Sequence, residues 1–222
     1  MSKYAVMPLD DYTNVCETIR EKTATTENIK SGDLPEKVNA VYKAGQKAEY
    51  DKFWDVYQDY GNRTNYANAF YNIGWNDETY QPKYNIVIVG NGYGCFGYSN
   101  ITDTKVDIDI SNSTNAGNFF YTCFYLKTIK KLIVSEKITS YTNFFKFCVA
   151  LEDIAIEGII GADISFADSN KLTHDSLMSI INALKDFSGT TTTKTLTLHA
   201  DSKALLTDSE KAIATQKGWT IA

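Results

Sequence analysis

The sequence is poor in the residues that metal and thiol chemistry need. It holds two histidines, His174 and His199, and four cysteines, Cys16, Cys95, Cys123 and Cys148, with no C-x-x-C pair. A structural zinc site draws its ligands from such close pairs, so no metal is expected. The cysteines read instead as reduced, small, buried groups. No apolar run reaches the about 20 residues that cross a bilayer, so no membrane span is expected. The opening stretch MSKYAVMPLDDYTNV lacks the apolar h-region of a secretory signal. Basic residues are in the minority, 22 Lys and Arg against 27 Asp and Glu, for a formal net charge of −5. Nucleic-acid binders concentrate positive charge on one face, so nucleic acid is not an expected partner.

What the chain does have is rings. Fifteen tyrosines and eleven phenylalanines, set among many Asn and Thr, fit a β-rich protein with a polar surface. The texture changes near residue 66. Before it, Tyr12, Val15, Cys16 and Ile19 share one helical face. Asp33-Leu34-Pro35-Glu36 then has the form of an N-cap with an early proline and a reciprocal glutamate. A second helix should carry Val38, Val41, Tyr42, Phe53, Trp54 and Tyr57 and stop at Gly61-Asn62. Residues 1–62 are thus expected to be a helical segment for attachment, with homo-oligomerisation through its helices. Beyond it come short β-branched runs: NIVIV (85–89), VDIDI (106–110), KLIV (131–134), DIAI (153–156), TLTL (195–198) and WTI (219–221).

Those runs are tied to a repeat. NFFYTCFYLKTI (118–129) and NFFKFCVALEDI (143–154) agree at Asn, Phe, Phe, Cys, Leu and Ile, giving F-x-x-C-x-x-L-x-x-I. Weaker copies start at Phe96, with Ser99 in the cysteine slot, and at Phe166, with Ser169 there and Leu172 in the leucine slot; Phe70 fits as a first member. A unit this short cannot bury its own apolar face. Stacked units would place Phe on Phe, Cys on Cys and Leu on Leu in one core. After them, HDSLMSIINALKDF sets Leu177, Ile180, Ile181 and Leu184 on one helical face, and Thr207-x-x-Glu210 is a capping box ahead of a helix ending at Gly218.

The F-x-x-C-x-x-L-x-x-I pattern resembles the BspA-type leucine-rich repeat of gut Firmicutes and their phages and prophages, over residues 66–222. The resemblance implies a short curved solenoid with one strand per repeat in a parallel sheet. With the other signals, the expected fold is an α/β repeat: a leucine-rich-repeat-like solenoid over residues 63–222, preceded by the helical segment and closed by an α/β cap from about residue 173. The resemblance also implies a protein made in the cytoplasm and associated with a virion, as a tail accessory or receptor-contacting component. Its partner would be a protein or a cell-surface ligand.

Three patterns invite a chemical reading. Gly92-x-Gly94-x-x-Gly97 after NIVIV has the spacing of a dinucleotide-binding turn. That turn needs a helix to begin among its glycines, yet Val106 opens a new strand nine residues after Gly97. A turn between repeats fits better, and no cofactor is expected. A Cys–His nucleophile would need Cys123 or Cys148 beside His174 or His199, but a slot used for packing suits a reactive thiolate poorly. Asp107 and Asp109 alternate onto one strand face, opposite Val106, Ile108 and Ile110. They could hold a cation or serve as a glycosidase pair, or simply face solvent. No catalytic residue is assigned. The expected binding face is Asp107, Asp109, Lys131, Glu157, Thr195, Thr197 and His199. The reading is a non-enzymatic binding module, with an intracellular phage-encoded inhibitor of a host defence protein, or a carbohydrate-active enzyme, as the alternatives.

Overall fold

The structure, a computed structural model, describes residues 85–222 together with Ala67, Ala69 and Phe70. The helices expected within residues 1–62, and Cys16 with them, lie outside the described residues. Four strands, β1 (Ile86–Asn91), β2 (Asp103–Asn115), β3 (Thr128–Val134) and β4 (Asp153–Gly158), pair in chain order. Every pair is parallel. Ile86, Ile108, Leu132 and Ile156 stand side by side across the sheet. Alternation selects the inner face, as in β2, where Val106, Ile108 and Ile110 are buried and Asp107 and Asp109 are not.

Parallel neighbours are usually joined through a crossover helix. Here the connections are runs of tight turns. The amides of Tyr121, Cys123 and Leu126 each bond the carbonyl three residues back, and those of Phe144, Lys146, Cys148 and Leu151 do the same in the next unit. Each turn run also bonds its successor. The Phe96 N–H donates to Phe119 O at 2.8 Å, Tyr98 to Tyr121 O at 2.7 Å, Asn118 to Thr142 O at 2.8 Å and Phe120 to Phe144 O at 2.9 Å. The turns therefore form a ladder of their own, and their buried backbone groups are satisfied as a strand's would be.

Between the strand and turn ladders the phenylalanines stack. Ring centroids are 4.5 Å apart for Phe70–Phe96, 5.4 Å for Phe96–Phe120, 5.7 Å for Phe120–Phe145 and 4.6 Å for Phe145–Phe166. A second column pairs Phe119 with Phe144 at 5.3 Å. All of these rings are buried. The cysteine slot has a specific duty. Ser99 Oγ, Cys123 Sγ, Cys148 Sγ and Ser169 Oγ donate to the carbonyls of Phe70, Phe96, Phe120 and Cys148 respectively, each at 3.1 Å. Ser202 continues the series to Ser169 O at 2.9 Å. A small side chain carrying a donor fits there, which is why serine and cysteine interchange.

Burial pushes the Cys123 thiol up to about 12 and raises Cys95 and Cys148 as well. In a Cys16→Ser background, the folded protein is therefore expected to resist Ellman's reagent at neutral pH until it is unfolded. Cys123→Ser should melt within a few degrees of the parent. Cys123→Val removes one donor to Phe96 O, which keeps those of the Ser99 amide and hydroxyl, and should cost about 0.5–1.5 kcal/mol in a urea titration.

The sheet stops at β4. Helix α1 (His174–Ala183) packs there, and its hydroxyls take the strand's free amides: Ile154 N–H donates to Ser176 Oγ at 2.9 Å and Ile156 N–H to Ser179 Oγ at 2.8 Å. A helix covering an open edge removes the template for another strand. The next strands, β5 (Ile164–Phe166), β6 (Lys194–Leu198) and β7 (Trp219–Ile221), form a separate parallel sheet. Its helices are α2 (Ala200–Ala204) and α3 (Asp208–Gln216), and α3 begins with the expected Thr207–Glu210 capping box. The single sheet expected from the sequence is thus corrected to two, and α1 at the β4 edge is the physical reason. The architecture is α/β, built from parallel-strand sheets with helices, and neither sheet closes into a barrel.

Candidate binding faces

Four of the seven residues expected on the binding face meet on the outer side of the first sheet. Lys131 is the strand partner of Asp107. Its ammonium lies 2.9 Å from Glu157 Oε2, and Lys130 Nζ lies 2.9 Å from Asp107 Oδ1, off the angle of a hydrogen bond. Glu157, with Asp107 beside it, raises the Lys131 pKa. Asp109 Oδ1 accepts the Ser111 N–H at 2.8 Å. A second row, Val87, Asp109, Ile133 and Glu157, crosses all four strands in register. The irregularity between Ile129 and Leu132 in the β3–β4 pairing falls at Lys131, whose side chain reaches Glu157. Exposed pairs of this kind add only about 0–1 kcal/mol each to stability.

The other three residues sit elsewhere. Thr195 and Thr197 belong to β6 of the second sheet, where the Thr195 amide donates to Asp163 Oδ1 at 2.7 Å. His199 is the N-cap of α2, and its Nδ1 accepts the Asp201 N–H at 3.2 Å. Alternation along a strand reveals the face a residue takes but not which sheet the strand joins.

The arrangement also bears on the chemical patterns. Gly94 and Gly97 lie in turns and Gly92 is the irregular residue between β1 and those turns, with no helix among the three. Their amides are occupied: Gly92 N–H donates to Asn115 O at 2.9 Å, Gly94 to Gly117 O at 2.8 Å and Gly97 to Gly94 O at 3.0 Å. None of them is left to bind a phosphate. Gly94 has φ +63°, the conformation held by Asn118 (+55°) and Asn143 (+54°) in the following units. A position needing positive φ takes Gly or Asn most cheaply, and this accounts for the glycine. The histidines are engaged away from the thiols: His174 Nε2 lies 2.8 Å from Glu210 Oε1, and His199 caps its helix. The Cys123 and Cys148 thiols bond backbone carbonyls.

One feature escaped the sequence reading. A groove of about 410 Å³ opens on the turn ladder, lined by Tyr93, Tyr98, Tyr121, Asn118 and Asn143 over Gly94 and Gly97. Its one sequence signal is the equivalence of Gly94, Asn118 and Asn143, because Tyr93, Tyr98 and Tyr121 fall in different slots of the repeat. Among the described residues, no group of three or more His, Cys, Asp or Glu is placed to hold a metal ion, and no helix is long and apolar enough to cross a membrane. No known protein family, curated protein or solved structure matches this chain.

Proposed function

We propose that the protein is a non-enzymatic binding module of the BspA-like leucine-rich-repeat kind, encoded by a phage or prophage. Residues 63–222 would form a short solenoid with its cap from about residue 173. The outer face of β1–β4 would recognise a protein or cell-surface ligand, as part of a virion tail accessory or receptor-contacting protein. The observation that carries the reading is the row Val87–Asp109–Ile133–Glu157. It crosses four parallel strands and sets exposed Val87 and half-buried Ile133 beside charged groups, a mixture suited to a protein interface with a polar rim. The donor series supports the repeat assignment: Ser99, Cys123 and Cys148 each bond the phenylalanine carbonyl of the preceding unit, and Ser169 and Ser202 bond the carbonyl of the preceding slot residue.

The double variant Asp109→Lys, Glu157→Lys tests the face. It reverses two charges on the outer face of the sheet, at half-buried Asp109 and exposed Glu157, and gives up the Ser111 amide's acceptor and the Lys131 pair but no core contact, so its melting temperature should fall by no more than a few degrees. Labelled wild-type protein is expected to bind cells of the host, and the variant to lose at least about tenfold in affinity. Mass spectrometry of purified particles of the parent phage should find the chain at a fixed copy number. Binding retained by the variant would reject the face, and absence from the particles would reject the virion role. A stoichiometric cytosolic partner combined with that absence would select the inhibitor alternative.

A further inference from the structure

We infer that the tyrosine–asparagine groove on the turn ladder is a binding site for an uncharged saccharide chain. The site lies apart from the sheet face, and nothing in its case depends on how that face is used.

The first observation is electrical. Among the described residues the groove is lined by phenols, amides and glycine backbone, with no ionised side chain. A charged ligand would lose its hydration there without gaining a counter-charge. The volume of about 410 Å³ falls within the range of small-ligand sites.

The second observation concerns the rings. Tyr98 and Tyr121 meet edge to face at 5.3 Å, and Tyr121 and Phe147 at 5.8 Å. The ladder runs on past the groove to Phe124, 6.5 Å from Phe147. Tyr93, Phe124 and Phe147 are 43, 46 and 38% exposed, although this fold buries seven other phenylalanines completely or nearly so. Rings gathered outside a well-filled core mark a surface meant for a ligand. Backbone geometry adds to this. Tyr98 (φ +59°) and Phe147 (φ +65°) occupy the left-handed region, where a bulky side chain is costly. Thr122 (φ +63°) holds the equivalent place, so the turn itself demands the conformation. Phe147 lies outside the groove lining, with Lys146 Nζ 5.3 Å from its ring centroid; at Tyr98, which lines the groove, the turn does not explain the ring, and a ligand that lies on it does.

The third observation selects the ligand class. Asn118 and Asn143 each offer an amide that both donates and accepts, and Asn118 Nδ2 already donates to Tyr93 Oη, which fixes both groups in advance. A sugar ring presents hydroxyls that donate and accept at its edge and an apolar C–H face for the phenol rings. A proline-rich strand also favours aromatic grooves, but it offers carbonyl acceptors alone and would leave the amide oxygens unmatched.

The test is an NMR titration of the full chain with cellotetraose, chitotetraose, maltotetraose and xylotetraose, with a decaproline peptide alongside. At least one saccharide is expected to shift the side-chain amide signals of Asn118 and Asn143. Tyr93→Ala should weaken that binding about tenfold, the value of one lost ring contact. Asn118→Gly should weaken it comparably while keeping the positive-φ turn intact. Asp109→Asn, on the sheet face, should leave it unchanged. The proposal falls if no saccharide shifts these signals at millimolar concentration, if binding survives both groove variants, or if only decaproline binds.

Discussion

Phe120→Ala is expected to lower the unfolding free energy by about 3–5 kcal/mol, the range for deleting a buried phenylalanine ring. Phe120 is fully buried and sits where both ring columns meet. Its centroid lies 5.4 Å from Phe96, 4.9 Å from Phe119, 5.6 Å from Phe144 and 5.7 Å from Phe145. Little else can collapse into the space, because each neighbouring ring is held by its own unit. Stacked units are stabilised largely through nearest-neighbour contacts, so the loss should also uncouple the units on either side. Urea unfolding should show a lower midpoint and a broader transition than the parent. Phe124→Ala is the control: its ring is half exposed and outside the core, and its cost should stay within about 0.5 kcal/mol.

Gly158→Ala is expected to cost about 3 kcal/mol or more, from left-handed strain added to a clash. Gly158 ends β4 at φ +99°, and a Cβ there would stand 2.0 Å from the Val134 carbonyl oxygen. The obstacle is backbone of the paired strand β3, so no side chain can rotate away. Glu157 precedes this glycine on the proposed face, and the variant should therefore disturb the Lys131–Glu157 pair together with stability. Gly189→Ala separates the two contributions. Gly189 also has positive φ, +76°, but nothing lies within 4 Å of its Cβ position, so only the backbone penalty of about 1 kcal/mol should appear. Thermal melts of the two variants against the parent measure the difference.

Much of this architecture could be read from the residues. VDIDI declared its inner and outer faces because alternation is a property of any strand, and Val106, Ile108 and Ile110 are buried accordingly. The F-x-x-C repeat was legible because its slot has a chemical requirement, a small donor for a buried carbonyl, and only serine and cysteine answer it here. The capping box at Thr207 was legible for the same kind of reason. The break between the sheets was not. It rests on Ser176 and Ser179, which look like ordinary polar positions of an amphipathic helix until β4 is seen to donate to them. Nor could the left-handed turns at Tyr98, Thr122 and Phe147 be foreseen, since these residues carry no preference for that conformation. The groove followed from those turns and stayed hidden with them. The glycine fingerprint misled in the opposite direction: positive φ and close approach are needs common to many turns, and the spacing alone does not distinguish a phosphate from a neighbouring chain. Among the expected face residues, Asp107, Asp109, Lys131 and Glu157 came together because their strands are hydrogen-bonded neighbours, whereas β6 joins a different sheet.

Whether residues 63–222 stack as a solenoid is tested most directly by ring-to-ring nuclear Overhauser effects in the full chain with selectively labelled phenylalanine. The expected result is an unbroken series from Phe70 through Phe96, Phe120 and Phe145 to Phe166, with Phe119–Phe144 as a parallel contact. An absent Phe96–Phe120 contact, or Phe120 in contact with rings outside this register, would contradict the stack and with it both binding faces.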